Sequence, residues 1–76
     1  MTFDIADLIA VIEPETDKIH QIGYIINKDK RGYAQSNWVT IDWIGKREAD
    51  VRSISEEALL DLYNEGCFRL YKASEQ

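Results

Sequence analysis

Basic and aromatic residues are interleaved in the middle third of this 76-residue chain. Cations beside exposed rings can bind single-stranded nucleic acid, because the rings stack on bases while lysine and arginine neutralise phosphates. Residues 28–52 hold six basic and four acidic residues, and they form the one net basic third of a chain whose formal net charge is −5. The candidate binding residues are therefore Lys28, Lys30, Arg31, Tyr33, Trp38, Thr40, Lys46 and Arg47.

Residues that commonly carry out catalysis or bind metals are sparse. His20 is the only histidine and Cys67 the only cysteine, and no nucleophile motif accompanies them. We expect an exposed histidine and a cysteine that packs as a small apolar side chain. The acids of EPETD lack the spacing and central glycine of a calcium loop, and the scattered glycines form no phosphate cradle. The sequence therefore predicts no enzyme, no metal and no cofactor.

Size and composition predict one globular domain. Hydrophobic residues make up 45% of the chain and charged residues 30%, which is ordinary for a folded protein. A single cysteine excludes an intramolecular disulfide and is typical of a reducing compartment. The N-terminal segment is acidic, and no apolar run approaches the ~20 residues that span a bilayer. We expect a cytoplasmic protein without membrane association. Its negative net charge disfavours general binding to double-stranded nucleic acid.

Short strands must position the candidate residues. The run LIAVI, Leu8–Ile12, favours a buried strand, although helical spacing of apolar residues over 3–12 keeps an N-terminal helix open as an alternative. The run IGYIINK, residues 22–28, predicts a second strand that leads through DKR into a turn closed by Gly32.

The third strand, NWVTIDWI, has two different faces. Val39, Ile41 and Trp43 alternate on one face, which is wholly apolar and should be buried. The other face carries Trp38 and Thr40, followed by Asp42 and Ile44. We expect Trp38 with Thr40 to be the contact surface for a partner.

In the last third of the chain the apolar residues no longer alternate but recur at helical spacing, which predicts a helix. SISEEALLDLYNEG has apolar residues at helical spacing, with Ser55 as the N-cap and Gly66 at the C′ position. The segment VRSI before it and CFRLYK after it predict two further short strands.

This order of elements resembles the Src-homology-3-like small barrel, the architecture of KOW and Tudor modules. The segments FDIADLIAVIEP, IGYIINKDKRGYAQSNWVTIDWIG and SISEEALLDLYNEGCFRLYK resemble small uncharacterised barrel proteins of tailed bacteriophages. Those proteins often begin with a glycine-aspartate pair before the first strand, and Ala6-Asp7 stands in its place here. The resemblance implies a mainly β fold over residues 1–76, with about five short strands and one short helix before the last strand.

Two functions of that architecture do not transfer to these residues. The run EPETDK replaces the alanine-leucine-tyrosine-aspartate-tyrosine run of proline-rich peptide binders, and the spacing of the aromatic residues does not show a methyl-lysine cage.

We therefore expect a small non-catalytic binding module. We favour a protein-interaction domain of a phage or bacterial accessory protein. Such a domain would bind a partner, or a second copy of itself, through exposed Trp38 and an open sheet edge. The alternative is single-stranded nucleic-acid binding, if the basic tip at residues 28–31 lies beside Lys46 and Arg47.

Overall fold

Five antiparallel strands form one sheet, and one short helix precedes the last strand. The computed structural model describes residues 2–45 and 50–75. The elements are β1 (Leu8–Ile12), β2 (Ile19–Arg31), β3 (Ser36–Ile44), β4 (Asp50–Ser55), α1 (Glu56–Asn64), β5 (Phe68–Tyr71) and a 3₁₀ turn at Ala73–Glu75. Their order in the sheet is β4-β3-β2-β1-β5. The predicted mainly β fold with a helix before the final strand is confirmed.

The first segment is a strand, so the alternative of an N-terminal helix is wrong. β1 is paired on both sides, with β2 and with β5. Ile9 and Ala10, which point to opposite faces, are each 1% exposed. Because Ile9 and Ala10 are buried on opposite faces, the apolar residues of β1 form a continuous run, and such a run also fits helical spacing.

The core lies between the inner face of the sheet and α1. Val39 and Ile41 are buried, and Trp43 packs against the same cluster, which confirms the predicted inner face of β3. The other buried members are Phe3, Ile9, Ile25, Leu59 and Phe68.

Gly23 makes room for the indole of Trp43. The two residues are opposite each other on β2 and β3, and a Cβ added to Gly23 would lie 2.6 Å from Trp43 Cε3 and 2.7 Å from Ile41 Cγ2. Real Cβ atoms do not approach other atoms so closely. The absence of a side chain at Gly23 is therefore part of how the core closes over the middle of the sheet.

The ends of α1 are set by the residues that the sequence indicated. Ser55 Oγ accepts a hydrogen bond from the Ala58 N–H at 3.2 Å, as an N-cap does. Gly66 has φ +80° just beyond the C-cap Glu65, and its N–H donates to Tyr63 O at 3.0 Å. α1 thereby turns the chain back into β5.

A tight turn before β1 buries the carboxylate of Asp7. Ala6 has φ +77°, in the left-handed region that glycine adopts without strain. The Ala6 N–H donates to Ile25 O at 2.8 Å, and Asp7 O accepts from the Ile25 N–H at 3.0 Å. This turn docks the N-terminal segment onto β2 and directs the Asp7 side chain toward the end of β5.

Candidate functional site

The β2–β3 hairpin presents part of the predicted basic tip. Tyr33 is fully exposed in the turn at residues 32–35, and Lys30 is exposed on the strand that leads to it. Lys28 is farther from the turn, and its ammonium is 3.6 Å from Glu56 and 3.9 Å from Asp4. The charge of Lys28 is thus partly neutralised within the domain, whereas Lys30 is exposed on the strand before the turn.

Arg31 is held against the outer face of the sheet. Its Nε donates to Asp29 Oδ2 at 2.8 Å and its Nη2 to Ser53 Oγ at 3.3 Å, while Cζ lies 5.4 Å from the centroid of the Trp38 ring. The guanidinium therefore covers the indole in a cation–π contact. Trp38 is half-buried as a result and offers less free surface than its position on the strand predicts.

The expectation that Thr40 forms part of an exposed contact surface is wrong. Thr40 is only 9% exposed, and its Oγ1 lies 3.1 Å from Ser53 Oγ, the residue opposite it on β4. Because Arg31 also bonds to Ser53, Thr40 belongs to a closed polar group on this part of the outer face. Alternation placed Thr40 on the correct face, but the cross-strand residues that cover it are distant in sequence.

Lys46 and Arg47 lie outside the described residues. Gly45, which precedes them, follows the end of β3, whereas the basic hairpin turn is at the start of that strand. The nine residues of β3 separate these two points by roughly 26 Å at ~3.3 Å per residue. Because Lys46 and Arg47 lie outside the described residues, the convergence of two basic tips stays a prediction.

An exposed apolar stripe crosses the other half of the same outer face. Strand pairing places Tyr71, Leu8, Tyr24, Asp42 and Val51 in one row across all five strands. Ile22 and Ile44 are opposite each other in the adjacent row. We call the apolar members the outer stripe, which consists of Leu8, Ile22, Tyr24, Ile44, Val51 and Tyr71.

The outer stripe is open to solvent. Tyr24 is 41% exposed, Ile44 48%, Tyr71 49% and Val51 51%, while Leu8 and Ile22 are half-buried between them. The row spans about 19 Å, since neighbouring strands lie ~4.8 Å apart. The sequence analysis placed Ile44 on the outer face but did not predict this stripe, because its members come from five separate strands whose pairing is not visible in the sequence.

Asp42 lies in the middle of the outer stripe. It is opposite Tyr24 on one side and Val51 on the other, and it is half-buried. Among the described residues, no hydrogen-bond donor or cation is paired with its carboxylate. The stripe therefore combines apolar side chains with one carboxylate that is free to accept a hydrogen bond.

Asp7 has the opposite environment. Its side chain is 1% exposed and accepts hydrogen bonds from the Asp4 N–H at 2.9 Å, from the Ala73 N–H at 3.1 Å and from the Lys72 ammonium. Burial alone would raise the pKa of Asp7, but these hydrogen bonds outweigh burial and hold that pKa below its ordinary value.

Lys72 links the two ends of the chain. Its ammonium donates to Asp4 Oδ2 at 2.6 Å, to Asp7 and to Thr2 O at 3.0 Å. Its hydrogen bonds to Asp4 and Asp7 raise the pKa of Lys72, and the hydrogen bond from Lys72 is the largest cause of a lowered pKa of Asp4. This arrangement is structural, because it fixes the N-terminal turn to the residues that follow β5.

The inner side of the sheet holds an apolar cavity of about 430 Å³. It lies beside α1, where Cys67 is half-buried against the core, and its lining includes Val11, Ile41, Trp43, Leu62 and Cys67. His20 is far more exposed, with its Nε2 3.5 Å from Glu13 Oε2 at the start of β2.

Two kinds of feature are absent from the described residues. No three or more histidine, cysteine, aspartate or glutamate side chains are grouped so that they could hold a metal ion. No helix in residues 2–45 or 50–75 is long and apolar enough to cross a membrane.

Comparison of the chain with protein-family models, with curated proteins and with solved structures gave no match. The function must therefore be argued from the geometry of the site.

Proposed function

We propose that this domain is a small non-catalytic binding module that binds a protein partner through the outer stripe. The exposure of the outer stripe, which has members on all five strands, carries this proposal. A contiguous apolar patch on a small domain marks an interaction surface, and tyrosine is enriched in such surfaces. Tyr24 and Tyr71 would supply the aromatic anchors, with Val51 and Ile44 at the β4 side.

The neighbouring half of the outer face supports the same assignment. Around Trp38, Arg31 bonds to Asp29 and Ser53, and Thr40 lies within hydrogen-bond distance of Ser53, so a partner that binds there would have to break these contacts. Around Tyr24, the apolar side chains of the outer stripe are exposed, and no residue within 2–45 or 50–75 covers them. Binding at the outer stripe therefore removes apolar surface from water at a smaller cost in broken polar contacts.

The biological setting is also proposed. The polar segment between β1 and β2, the β2–β3 hairpin and α1 directly before β5 support a Src-homology-3-like small barrel. The proposed protein is an accessory protein of a tailed phage or a bacterium that acts in the cytoplasm, and its partner is another protein or a second copy of the chain.

Site-specific photo-crosslinking tests the proposal. Benzoylphenylalanine replaces Tyr24 or Val51 in the full chain, and a matched variant carries it at Glu57, which is exposed on α1. Illumination in bacterial cells should give one defined adduct from positions 24 and 51. Wild type co-expressed in excess without the crosslinker should compete for that adduct, whereas a folded Tyr24→Ser, Val51→Ser variant co-expressed in the same way should not. Equal crosslinking from position 57, or no adduct at either stripe position, would contradict the proposal.

Single-stranded nucleic-acid binding is the second candidate, and the observation that favours it is that Tyr33 in the hairpin turn and Lys30 on the strand before it are both exposed. Labelled mixed-sequence single-stranded DNA or RNA is titrated with the protein at low and physiological salt, with fluorescence anisotropy as the readout. Salt-sensitive binding that is lost in Lys30→Glu and Tyr33→Ala would support this candidate. If the outer stripe is the binding surface, those two substitutions leave partner binding unchanged.

A further inference from the structure

If the outer stripe binds a protein partner, as proposed above, the negative charge of Asp42 in the middle of the stripe restricts the chemistry of that partner. Asp42 is on the central row of the stripe, and the Cβ atoms of residues directly opposite on adjacent strands lie about 4.5–5.5 Å apart. Any partner that covers both Tyr24 and Val51 must therefore also cover the Asp42 carboxylate. The partner surface cannot be uniformly apolar at that point.

No described residue is placed to neutralise Asp42 when the stripe is covered. Arg52 is opposite Ile41 and so belongs to the inner-facing set of β4. Arg69 is on the outer face, but its guanidinium is 3.1 Å from Asp17. Burial of an ionised carboxylate without a partner costs several kcal/mol, and since no described residue supplies a donor, a donor from the other molecule would offset that cost.

We infer that the partner is a basic, apolar-flanked protein segment that places an arginine or lysine on Asp42 while its apolar neighbours cover Tyr24 and Val51. A charged donor forms a stronger hydrogen bond to a carboxylate than a neutral donor does. A guanidinium at Asp42 also lies within reach of the Tyr24 ring, where it gains a cation–π contact. The net charge of −5 favours the approach of a basic segment over an acidic one.

The competing explanation is that Asp42 prevents nonspecific association. A charge within an exposed apolar surface of a sheet lowers its tendency to aggregate. In that case the carboxylate contributes no attraction to a specific partner, and its removal makes the protein more adhesive toward all apolar peptides. The two explanations therefore predict opposite effects of Asp42→Asn.

A displayed library of random twelve-residue peptides provides the probe. Peptides are selected on the full chain, and the affinity of each synthetic peptide is measured by fluorescence anisotropy. The variants are Asp42→Asn, Tyr24→Ser and the control Asp61→Asn, which removes the same charge from an exposed position on α1. Urea unfolding confirms that each variant is folded before binding is measured.

We expect the peptides that depend on Tyr24 to carry arginine or lysine beside apolar residues. Asp42→Asn should lower the affinity of these peptides about tenfold or more, which corresponds to a charged hydrogen bond of ~1.5 kcal/mol. Asp61→Asn should change their affinity less than about twofold. Replacement of the peptide arginine by neutral citrulline should lower the affinity for the wild-type protein by a similar factor. The same replacement should lower the affinity for Asp42→Asn little further.

The other outcomes overturn the inference in distinguishable ways. Peptides that depend on Tyr24 but carry no basic residue, or that bind Asp42→Asn equally or more tightly, would overturn the assignment of Asp42 and leave the outer stripe as the binding surface. A selection that yields no peptide dependent on Tyr24 would overturn both the inference and the proposed function.

Discussion

Two aspartates of this small domain illustrate the difference between a structural carboxylate and one available for binding. Asp7 is buried, and its oxygens accept hydrogen bonds from Lys72 and from two backbone N–H groups. Asp42 is half-buried on the outer face, and no described residue donates to it. The first carboxylate joins segments that are 65 residues apart in sequence, whereas the second interrupts an apolar surface.

This difference indicates where the domain can be altered without unfolding. A buried carboxylate with all its hydrogen bonds made inside the molecule stabilises the fold and has no capacity left for a partner. A carboxylate exposed among apolar side chains contributes little to the fold. We therefore expect stability and binding to depend on different regions, and the following substitutions test that separation.

The largest expected effect on stability comes from replacing Asp7, with Asp42 as the comparison. Asp7→Ala leaves the N–H groups of Asp4 and Ala73 without their acceptor and removes a buried ion pair from Lys72, so we expect a loss of about 3 kcal/mol in the free energy of unfolding. Asp42→Ala should change that free energy by less than about 0.5 kcal/mol. Urea unfolding measures both. Similar losses in the two variants would show that the contrast between these carboxylates is wrong.

The pH dependence of stability should follow Asp7 and its partners. The pKa of Asp4 and of Asp7 lies below the ordinary 3.8 in the folded protein, so the unfolded chain takes up protons first as the pH falls. Their contribution to stability is present above that ordinary value and is lost as the pH falls below it. The raised pKa of Lys72 acts at the other extreme, because its contribution is present below the ordinary 10.5 and is lost as the pH rises above that value.

The measurement is the difference in unfolding free energy between wild type and Asp7→Asn as a function of pH. We expect this difference to be constant from about pH 5 to about pH 9 and to shrink below about pH 4. Asp42→Asn serves as the matched control with the same chemical change. A difference for Asp7→Asn that grew on acidification would contradict the assigned direction of its pKa.

A pair of adjacent residues on β2 tests the same separation between the two faces of the sheet. Gly23→Ala places a Cβ against Trp43 and Ile41, so we expect a loss of about 1–3 kcal/mol from overpacking. Tyr24→Ser changes the outward-facing neighbour and should cost at most about 1 kcal/mol. Thermal unfolding of both variants gives the comparison. A larger loss for Tyr24→Ser would place that ring in the fold rather than in an interface.

The sequence predicted the local features of this fold well. The alternation of Val39, Ile41 and Trp43 predicted the inner face of β3, and Ser55 and Gly66 predicted the ends of α1. Each of these signals depends on residues a few positions apart, where backbone geometry fixes the relation between them. The β2–β3 turn was predicted at Gly32 for the same reason.

The site could not be predicted to the same degree, because it depends on contacts between distant segments. Trp38 and Thr40 were placed on the correct face, but Ser53 and Arg31 cover them, and neither contact follows from alternation. The outer stripe needs the register of all five strands, and a shift of one residue in any pair would turn a member inward. The basic residues near the hairpin were identified by composition, whereas Lys28 is paired with an acid on α1.

The smallest expected effect concerns the turn that presents Asp7. Ala6 has a positive φ of 77°, which costs a residue with a Cβ about 1 kcal/mol, and glycine adopts this conformation without that strain. Ala6→Gly also makes the unfolded chain more flexible, which offsets part of the gain. We therefore expect a net stabilisation below about 1 kcal/mol, measured by urea unfolding.

The control for that change is Ala58→Gly in α1, where the same substitution should destabilise by about 1 kcal/mol. A destabilising effect at position 6 would mean that the turn does not hold the left-handed conformation in solution. Because Asp7 follows Ala6 directly, its carboxylate would then be held less firmly. The free energy of unfolding that is lost on acidification should therefore also be smaller than expected for a buried Asp7. Stabilisation at position 6 with destabilisation at position 58 would instead link the strained turn, the buried Asp7 and the docking of both chain ends into one structural unit that is separate from the outer stripe.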